Sequence, residues 1–180
     1  MPYKAIYLFL EGNDDITFFH SIVKPLFERL YDSVISWPYR QRSRRHIQKF
    51  IKAIDAMGAD YVYVGDIDSF PCVTRKKESL MSAQSRLRSE RIYVVKREIE
   101  GWYIAGASGR FLSAIGAPAE IGSACENRTK EQFNDLIPRR FQSRIDFMQE
   151  VLKDYDVKLA ADNNPSFRYF LEKNDLFEII

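Results

Sequence analysis

Acidic residues follow three apolar runs of this chain, at the point where each run ends. The runs cover residues 5–10, 61–64 and 92–95. The acids that follow them are Glu11, Asp66, Asp68, Glu98 and Glu100, with Asp15 four residues after Glu11. In an open α/β sheet, ligands bind beyond the carboxyl ends of the strands, so the pattern predicts that these side chains converge on one site. Asp15 would face the same site from the first turn of a following helix.

Carboxylates at this density predict a divalent cation. Asp66 and Asp68 are separated by one apolar residue, which in extended backbone places both carboxylates on one side. Oxygen ligands suit Mg²⁺ or Mn²⁺ and not zinc. Crowded carboxylates repel one another, and a bound cation neutralises them. Each acid taken alone also fits a turn or a helix cap, so the prediction depends on the combined pattern.

The elements that would position these acids alternate between strand and helix. Segments with helical spacing of apolar residues separate four short β-rich runs, at residues 5–10, 34–37, 61–64 and 92–95. This order predicts a mostly parallel sheet of about four strands, flanked by helices. The strand signals stop after about residue 108. We therefore predict an α/β domain over residues 1–108 and a helical C-terminal extension packed on it over residues 109–180.

Composition excludes several classes of protein. The chain has 180 residues, a formal net charge of +2 and two cysteines. Cys72 and Cys125 are too few for a disulfide framework or a zinc site, so we expect reduced thiols. The N-terminus lacks a signal-peptide pattern, and no apolar run approaches membrane-spanning length. We expect a cytoplasmic protein without membrane contact.

Basic residues are clustered between the second strand and the second helix. The cluster consists of Arg40, Arg42, Arg44 and Arg45. In a parallel sheet this connection also lies at the carboxyl ends of the strands, where arginines can hold phosphates. A solvated loop is the alternative. Lys130 and Arg168 are further candidates for phosphate contact, with helix-surface charge as the alternative for each.

Three motifs, in this order along the chain, resemble the Toprim domain. They are Glu11-Gly12-x-x-Asp15, Gly65-Asp66-x-Asp68, and Glu98-x-Glu100-Gly-Trp102-Tyr-Ile-Ala105. The resemblance is to the Toprim part of OLD-family nucleases and to small stand-alone bacterial Toprim proteins. The segment Asn164-Pro165-Ser166-Phe167-Arg168-x-Phe170 is similar to the helical tail of those small proteins. The resemblance covers most of the chain.

The resemblance implies a Rossmann-like Toprim fold, a divalent-metal site and phosphodiester chemistry. It implies that Glu11 is a metal ligand or general acid/base and that Asp66 and Asp68 are metal ligands. Asp15 and Glu100 would complete the metal shell, with Glu98 next. The predicted function is a nuclease acting on DNA or RNA, in which two cations, Mg²⁺ or Mn²⁺, bracket the scissile phosphate.

Two alternatives stay open at this point. The first is a nucleic-acid or nucleotide-binding module that keeps the fold without turnover. The second is a subunit that becomes active only with a partner ATPase, because this chain leaves no room for the ATPase domain of an OLD protein. Metal-dependent cleavage by the pure protein separates the nuclease from both alternatives.

Overall fold

Four segments form one parallel sheet in the computed structural model. The structure describes residues 3–123 and 125–180, apart from the side chain of Ala119. The strands are β1 (Ala5–Leu10), β2 (Ser33–Pro38), β3 (Asp60–Asp66) and β4 (Ile92–Val95). They lie in the order β2-β1-β3-β4, and each neighbouring pair is parallel. The predicted α/β fold, with about four parallel strands, flanking helices and a helical C-terminal part, is confirmed, and the arrangement is Rossmann-like.

β1 and β3 occupy the centre of this sheet. Leu8 and Phe9 on β1 are fully buried, as are Val62 and Val64 on β3. Such runs are apolar without alternation because both faces of the strand are covered. The register pairs Phe9 with Tyr63, so the residues that follow β1 and β3 emerge side by side.

The first helical segment changes its winding along its length. It begins as α1 (Asn13–Phe18), continues as a π-helical turn (Phe19–Val23) and ends as α2 (Lys24–Phe27). The sequence predicts a kink or break at Pro25, since proline lacks the N–H that an α-helix requires. The chain accommodates Pro25 by widening the turn that precedes it, a typical form of helix irregularity.

The helix α3 (Arg44–Met57) covers one face of the sheet. The hydroxyl of Ser43 accepts a hydrogen bond from the backbone of His46 at its start, and Gly58 ends it with a positive φ of 64°. These are the usual N-terminal and C-terminal signals of a helix. Its apolar face supplies buried isoleucines to an aromatic core that includes Phe9 and Tyr61.

The connection from β3 to the helix α4 (Val73–Ala83) reverses direction just after the strand. Asp68 has a positive φ of 53°, a backbone conformation that Asp tolerates better than most residues. Among the residues of α4, Lys76 is the buried one. A buried lysine requires a partner, and that partner belongs to the candidate site.

The chain divides into two compact units, Met1–Val95 and Lys96–Ile180. The first contains the sheet. The second contains six α-helices in its described part, starting with α5 (Glu100–Ala105), which the sequence groups with the α/β part. They continue as α6 (Gly109–Ala114), α7 (Lys130–Asn134), α8 (Arg144–Lys153), α9 (Val157–Asn163) and α10 (Pro165–Lys173).

The second unit has an aromatic core of its own. Trp102 on α5 is buried, packs on Phe167 and Phe170, and donates a hydrogen bond from Nε1 to the hydroxyl of Ser166. Asn164 caps α10, whose first residue is a proline, as the sequence predicts. None of the helices in the described ranges has the length and apolarity needed to cross a membrane.

Candidate functional site

The carboxyl ends of β1 and β3 bring Glu11 next to Gly65. A Cβ atom on Gly65 would lie 3.9 Å from Oε2 of Glu11. Glu11 follows β1 directly, and Gly65 is the penultimate residue of β3, so strand pairing alone sets this proximity. The first two acidic motifs therefore meet at one edge of the sheet.

Asp15 lies in the first turn of α1, close to Glu11. Its Oδ2 accepts a hydrogen bond of 3.0 Å from the backbone N–H of Gly12, which fixes the turn between strand and helix. Burial raises the pKa of Asp15 from its ordinary value of 3.8 to about 7; the bond from Gly12 opposes the rise, and the charge of Glu11 adds to it. The charge of Glu11 therefore favours a proton or a cation at Asp15.

Tyr39 supplies a hydroxyl group to this site. No pattern in the sequence predicts this role for Tyr39. Its ring stacks on Tyr63 with centroids 4.4 Å apart, and its hydroxyl donates a hydrogen bond of 2.9 Å to the carbonyl oxygen of Val64. A Cβ on Gly65 would lie only 2.9 Å from that hydroxyl oxygen, so the absence of a side chain at Gly65 makes room for it. Burial raises the pKa of Tyr39, and the charge of Glu11 contributes, so the phenol stays protonated.

Asp66 and Asp68 adopt different backbone conformations. Asp66 is the last residue of β3, and its Oδ1 atom is buried. Asp68 lies beyond the strand with a positive φ, so the alternation expected for extended backbone does not apply between the two residues. The structure thus places both acids at the end of β3 without aligning them along one strand.

A cation of the protein itself already contacts Asp68. The ammonium group of Lys76 donates a hydrogen bond to Oδ2 of Asp68 and also lies 5.2 Å from the ring centroid of Phe70. The Lys76 side chain is 8% exposed and that of Asp68 is 55% exposed. In the sequence Lys76 lies between Arg75 and Lys77, and this basic run does not predict the pair with Asp68.

The residues present fit a hydrated cation better than a fully ligated one. Within the ranges that the structure covers, no three His, Cys, Asp or Glu side chains are grouped so as to hold a metal ion. Mg²⁺, however, usually keeps several waters and binds through one or two carboxylates. Glu11 and Asp66 supply such carboxylates at neighbouring strand ends, whereas Asp68 would have to exchange Lys76 for the metal.

A cavity of about 440 Å³ opens beside Glu11. It is lined by Glu11, Gly12, Asn13, Pro38, Arg40, Gln41 and Arg42. A carboxylate and two guanidinium groups thus share one concave surface. Such a surface can hold a phosphate on the arginines while its carboxylate side faces a cation or a proton.

Arg44 and Arg45 lie in the first turn of α3 and are exposed. In the described part of the chain, none of the arginines of the predicted cluster forms an ion pair with a carboxylate. Other cations of the first unit do form such pairs, for example Arg91 with Asp60 and Arg88 with Asp55. The predicted basic cluster is therefore available to an anion from outside the chain.

Glu98 and Glu100 belong to the second unit, and each has partners there. Glu98 accepts a hydrogen bond from the backbone N–H of Lys130 at the start of α7. Glu100 is 3% exposed and pairs with Arg144 of α8. Both contacts support helix packing inside the second unit, and the predicted metal roles of the two glutamates stay predictions.

Arg168, the remaining predicted phosphate contact, lies on α10. Its guanidinium forms ion pairs with Asp162 at 3.1 Å and Glu172 at 3.0 Å, and it lies over the ring of Phe177. These partners neutralise its charge in the structure.

Comparison of the chain with protein-family models, with curated proteins and with solved structures finds no match.

Proposed function

We propose that this protein is a divalent-metal-dependent nuclease that hydrolyses phosphodiester bonds of DNA or RNA. The observation that carries the proposal is the meeting of Glu11 with the end of β3, beside a cavity that also presents Arg40 and Arg42. A carboxylate and two arginines on one concave surface match the two needs of a phosphodiesterase, a cation site and a phosphate clamp. The order of the acidic motifs, which resembles the Toprim domain, supports the same function.

Each group of the chain has a distinct role in this proposal. Mg²⁺ or Mn²⁺, as two ions, would activate water and stabilise the leaving oxygen. Glu11, with Asp66 and in part Asp15 and Asp68, would hold the cations. Where it does not bind metal directly, Glu11 takes or returns a proton as a general acid/base. The guanidinium groups of Arg40 and Arg42 orient the phosphate. We also propose that the protein is cytoplasmic, because its two cysteines are free thiols.

The second candidate is a nucleic-acid-binding module without turnover. The pair between Asp68 and Lys76 favours it, because a lysine that neutralises an acid removes the need for a metal at that position. The pair between Glu100 and Arg144 has the same consequence in the second unit. A subunit activated by a partner ATPase is the third possibility, and it predicts cleavage only after the partner is added.

The deciding experiment is a cleavage assay on the pure protein. Labelled single-stranded and double-stranded DNA and RNA are incubated with Mg²⁺, with Mn²⁺ or with chelator. We expect cleavage only with metal, and a loss on the order of a hundredfold in Glu11→Gln, since a catalytic acid/base contributes this much. Glu90→Gln serves as the control, because Glu90 is an exposed glutamate of the same unit outside the site.

Four results would contradict the proposal. Metal-independent cleavage would remove the metal from the reaction, and unchanged cleavage by Glu11→Gln would remove the Glu11 carboxylate from it. Complete absence of cleavage together with retained nucleic-acid binding would support the binding module, and cleavage restored by a co-purified ATPase would support the dependent subunit.

A further inference from the structure

A second concave surface begins where the first cavity ends along the chain. It has a volume of about 630 Å³ and is lined by Ser43, Arg45, His46, Lys49, Phe50 and Ala53. We call it the α3 groove. In sequence order, the last residue that lines the first cavity is Arg42, and the first that lines the groove is Ser43. Neighbouring residues of one segment therefore line the two surfaces.

Trp37 joins the two surfaces physically. The guanidinium carbon of Arg42, from the first cavity, lies 5.7 Å from the centroid of the Trp37 ring. His46 and Phe50, from the groove, contact the same ring at centroid distances of 5.7 Å and 4.6 Å. One half-buried tryptophan therefore contacts lining residues of both the first cavity and the groove.

The charge of the groove has one sign. Arg45 and Lys49 line it, and among its six lining residues there is no carboxylate. Within the described residues, neither of these two cations forms an ion pair. Fixed positive charge without an internal partner attracts an anionic ligand and, for a nucleic acid, releases its counterions.

The aromatic side chains of the groove indicate which kind of anionic ligand it binds. Phe50 and His46 line it next to the two cations, so phosphate groups and flat apolar rings can be bound within the same small volume. This combination is typical of proteins that bind a single strand, where the backbone follows a basic groove and unpaired bases stack on aromatic side chains. A duplex hides its base faces and offers only phosphates to such a surface.

We infer that the α3 groove binds a single nucleic-acid strand and leads it into the cavity beside Glu11, so that the substrate of the proposed nuclease is single-stranded. The inference rests on the proposed function for what happens at Glu11, but the binding of the strand requires no turnover. Arg45 and Lys49 hold consecutive phosphates, and His46 and Phe50 contact the base between them.

The test measures binding in chelator, where cleavage cannot occur. The probe is fluorescein-labelled oligothymidylate of about 20 nucleotides, long enough to exceed a typical single-strand site. Its anisotropy is measured against protein and salt concentration, in parallel with a duplex and with an abasic strand of equal length. The variants are Arg45→Ala/Lys49→Ala and, as a charge-matched control, Lys52→Ala/Arg86→Ala, whose exposed residues do not line the groove.

We expect the oligothymidylate to bind more tightly than both the duplex and the abasic strand. The groove variant should bind it on the order of tenfold more weakly, with a salt slope lower by about 1.4 because two phosphate contacts are lost. The control variant should behave like the parent. His46→Ala should weaken binding to oligothymidylate but leave binding to the abasic strand unchanged, since it removes only a contact with the base.

Three outcomes would overturn the inference. Equal or tighter binding of the duplex would show that the groove does not select single strands. An equal loss in the control variant would show only general attraction to basic surface. Equal affinity for the abasic strand would show a polyanion site without base contact. The proposed nuclease fails differently, by binding oligothymidylate in the groove without cleaving it when metal is added.

Discussion

The ammonium group of Lys76 is buried on α4 and donates its hydrogen bond to the carboxylate of Asp68, which is more than half exposed. The two partners therefore depend on each other unequally. Without Asp68, the lysine keeps a buried charge and loses its acceptor, whereas without Lys76, the aspartate is rehydrated by water.

Asp68→Asn should lower the free energy of unfolding by about 1–2 kcal/mol, because the buried ammonium of Lys76 loses its charged partner and keeps only a neutral acceptor. Asparagine also tolerates the left-handed backbone at this position, so strain does not contribute. Lys76→Met should cost less than about 1 kcal/mol, since it exchanges a buried charge for an apolar chain of similar length. Urea unfolding of both variants in chelator checks the order. A larger loss in Lys76→Met than in Asp68→Asn would contradict it.

Lys76 should also compete with the metal for Asp68. If Asp68 is a ligand, Lys76→Met should bind Mn²⁺ more tightly than the parent, by about tenfold for each 1.4 kcal/mol of competition removed. Asp68→Asn should bind Mn²⁺ more weakly. Titration calorimetry gives both affinities without any nucleic acid. Equal affinity in all three proteins would exclude Asp68 from the metal site, whatever the outcome for Glu11.

Asp15 should make the stability of the metal-free protein depend on pH. Its pKa is raised to about 7 in the folded protein against an ordinary 3.8, chiefly by burial. Between these two values the folded protein keeps a proton that the unfolded chain has released. The free energy of unfolding should therefore fall as the pH rises through this window, by on the order of a few kcal/mol, and level off above it.

Asp15→Asn is the control for this pH dependence, because asparagine stays neutral throughout. Unfolding by urea in chelator, at several pH values between 4 and 8 or so, gives the difference between parent and variant. We expect the free energy of unfolding of Asp15→Asn to depend less on pH than that of the parent. The stability lost relative to the parent should therefore be smallest at high pH. If the two proteins show parallel pH profiles, Asp15 titrates normally and is not buried in the way described.

Gly65→Ala should destabilise the first unit by about 1–3 kcal/mol, as overpacking does in a filled interior. The added Cβ would lie 2.9 Å from the hydroxyl oxygen of Tyr39, so one of the two groups must move. Tyr39→Phe alone should cost about 1 kcal/mol, since it removes the hydrogen bond to Val64.

The double variant Gly65→Ala/Tyr39→Phe separates the clash from other effects. Because phenylalanine lacks the hydroxyl oxygen, the double variant should lose less stability than the sum of the two single losses, by about 1 kcal/mol. Thermal or urea unfolding measures all three proteins. Strictly additive losses would show that the hydroxyl of Tyr39 does not lie against Gly65.

The strands were predictable because their sequence pattern depends on burial alone. Leu8 and Phe9 lie on a strand that is covered on both faces, and such a strand reads as a continuous apolar run. The position of Glu11 beside Gly65 also follows from the sequence, since parallel pairing brings the ends of β1 and β3 to one edge. These features need no knowledge of side-chain packing.

The partners of the acids were not predictable in the same way. Lys76 reaches Asp68 from the next helix, and Arg144 reaches Glu100 across 44 residues of sequence. Which cation meets which carboxylate depends on how helices pack, and this leaves no local pattern. Tyr39 was missed for the same reason, because its hydroxyl is positioned by a turn and by the absence of a side chain at Gly65.

All four strands of the sheet lie within the first 95 residues, because the last strand ends at Val95. During synthesis, the ribosome would thus deliver every strand before the helices of the second unit begin. β1 is made first but has two neighbours, and its second neighbour, β3, arrives only about fifty residues later. The nascent chain must keep β1, whose six residues are all apolar, from non-native pairing over that interval, so a chaperone that shields β1 would favour correct folding.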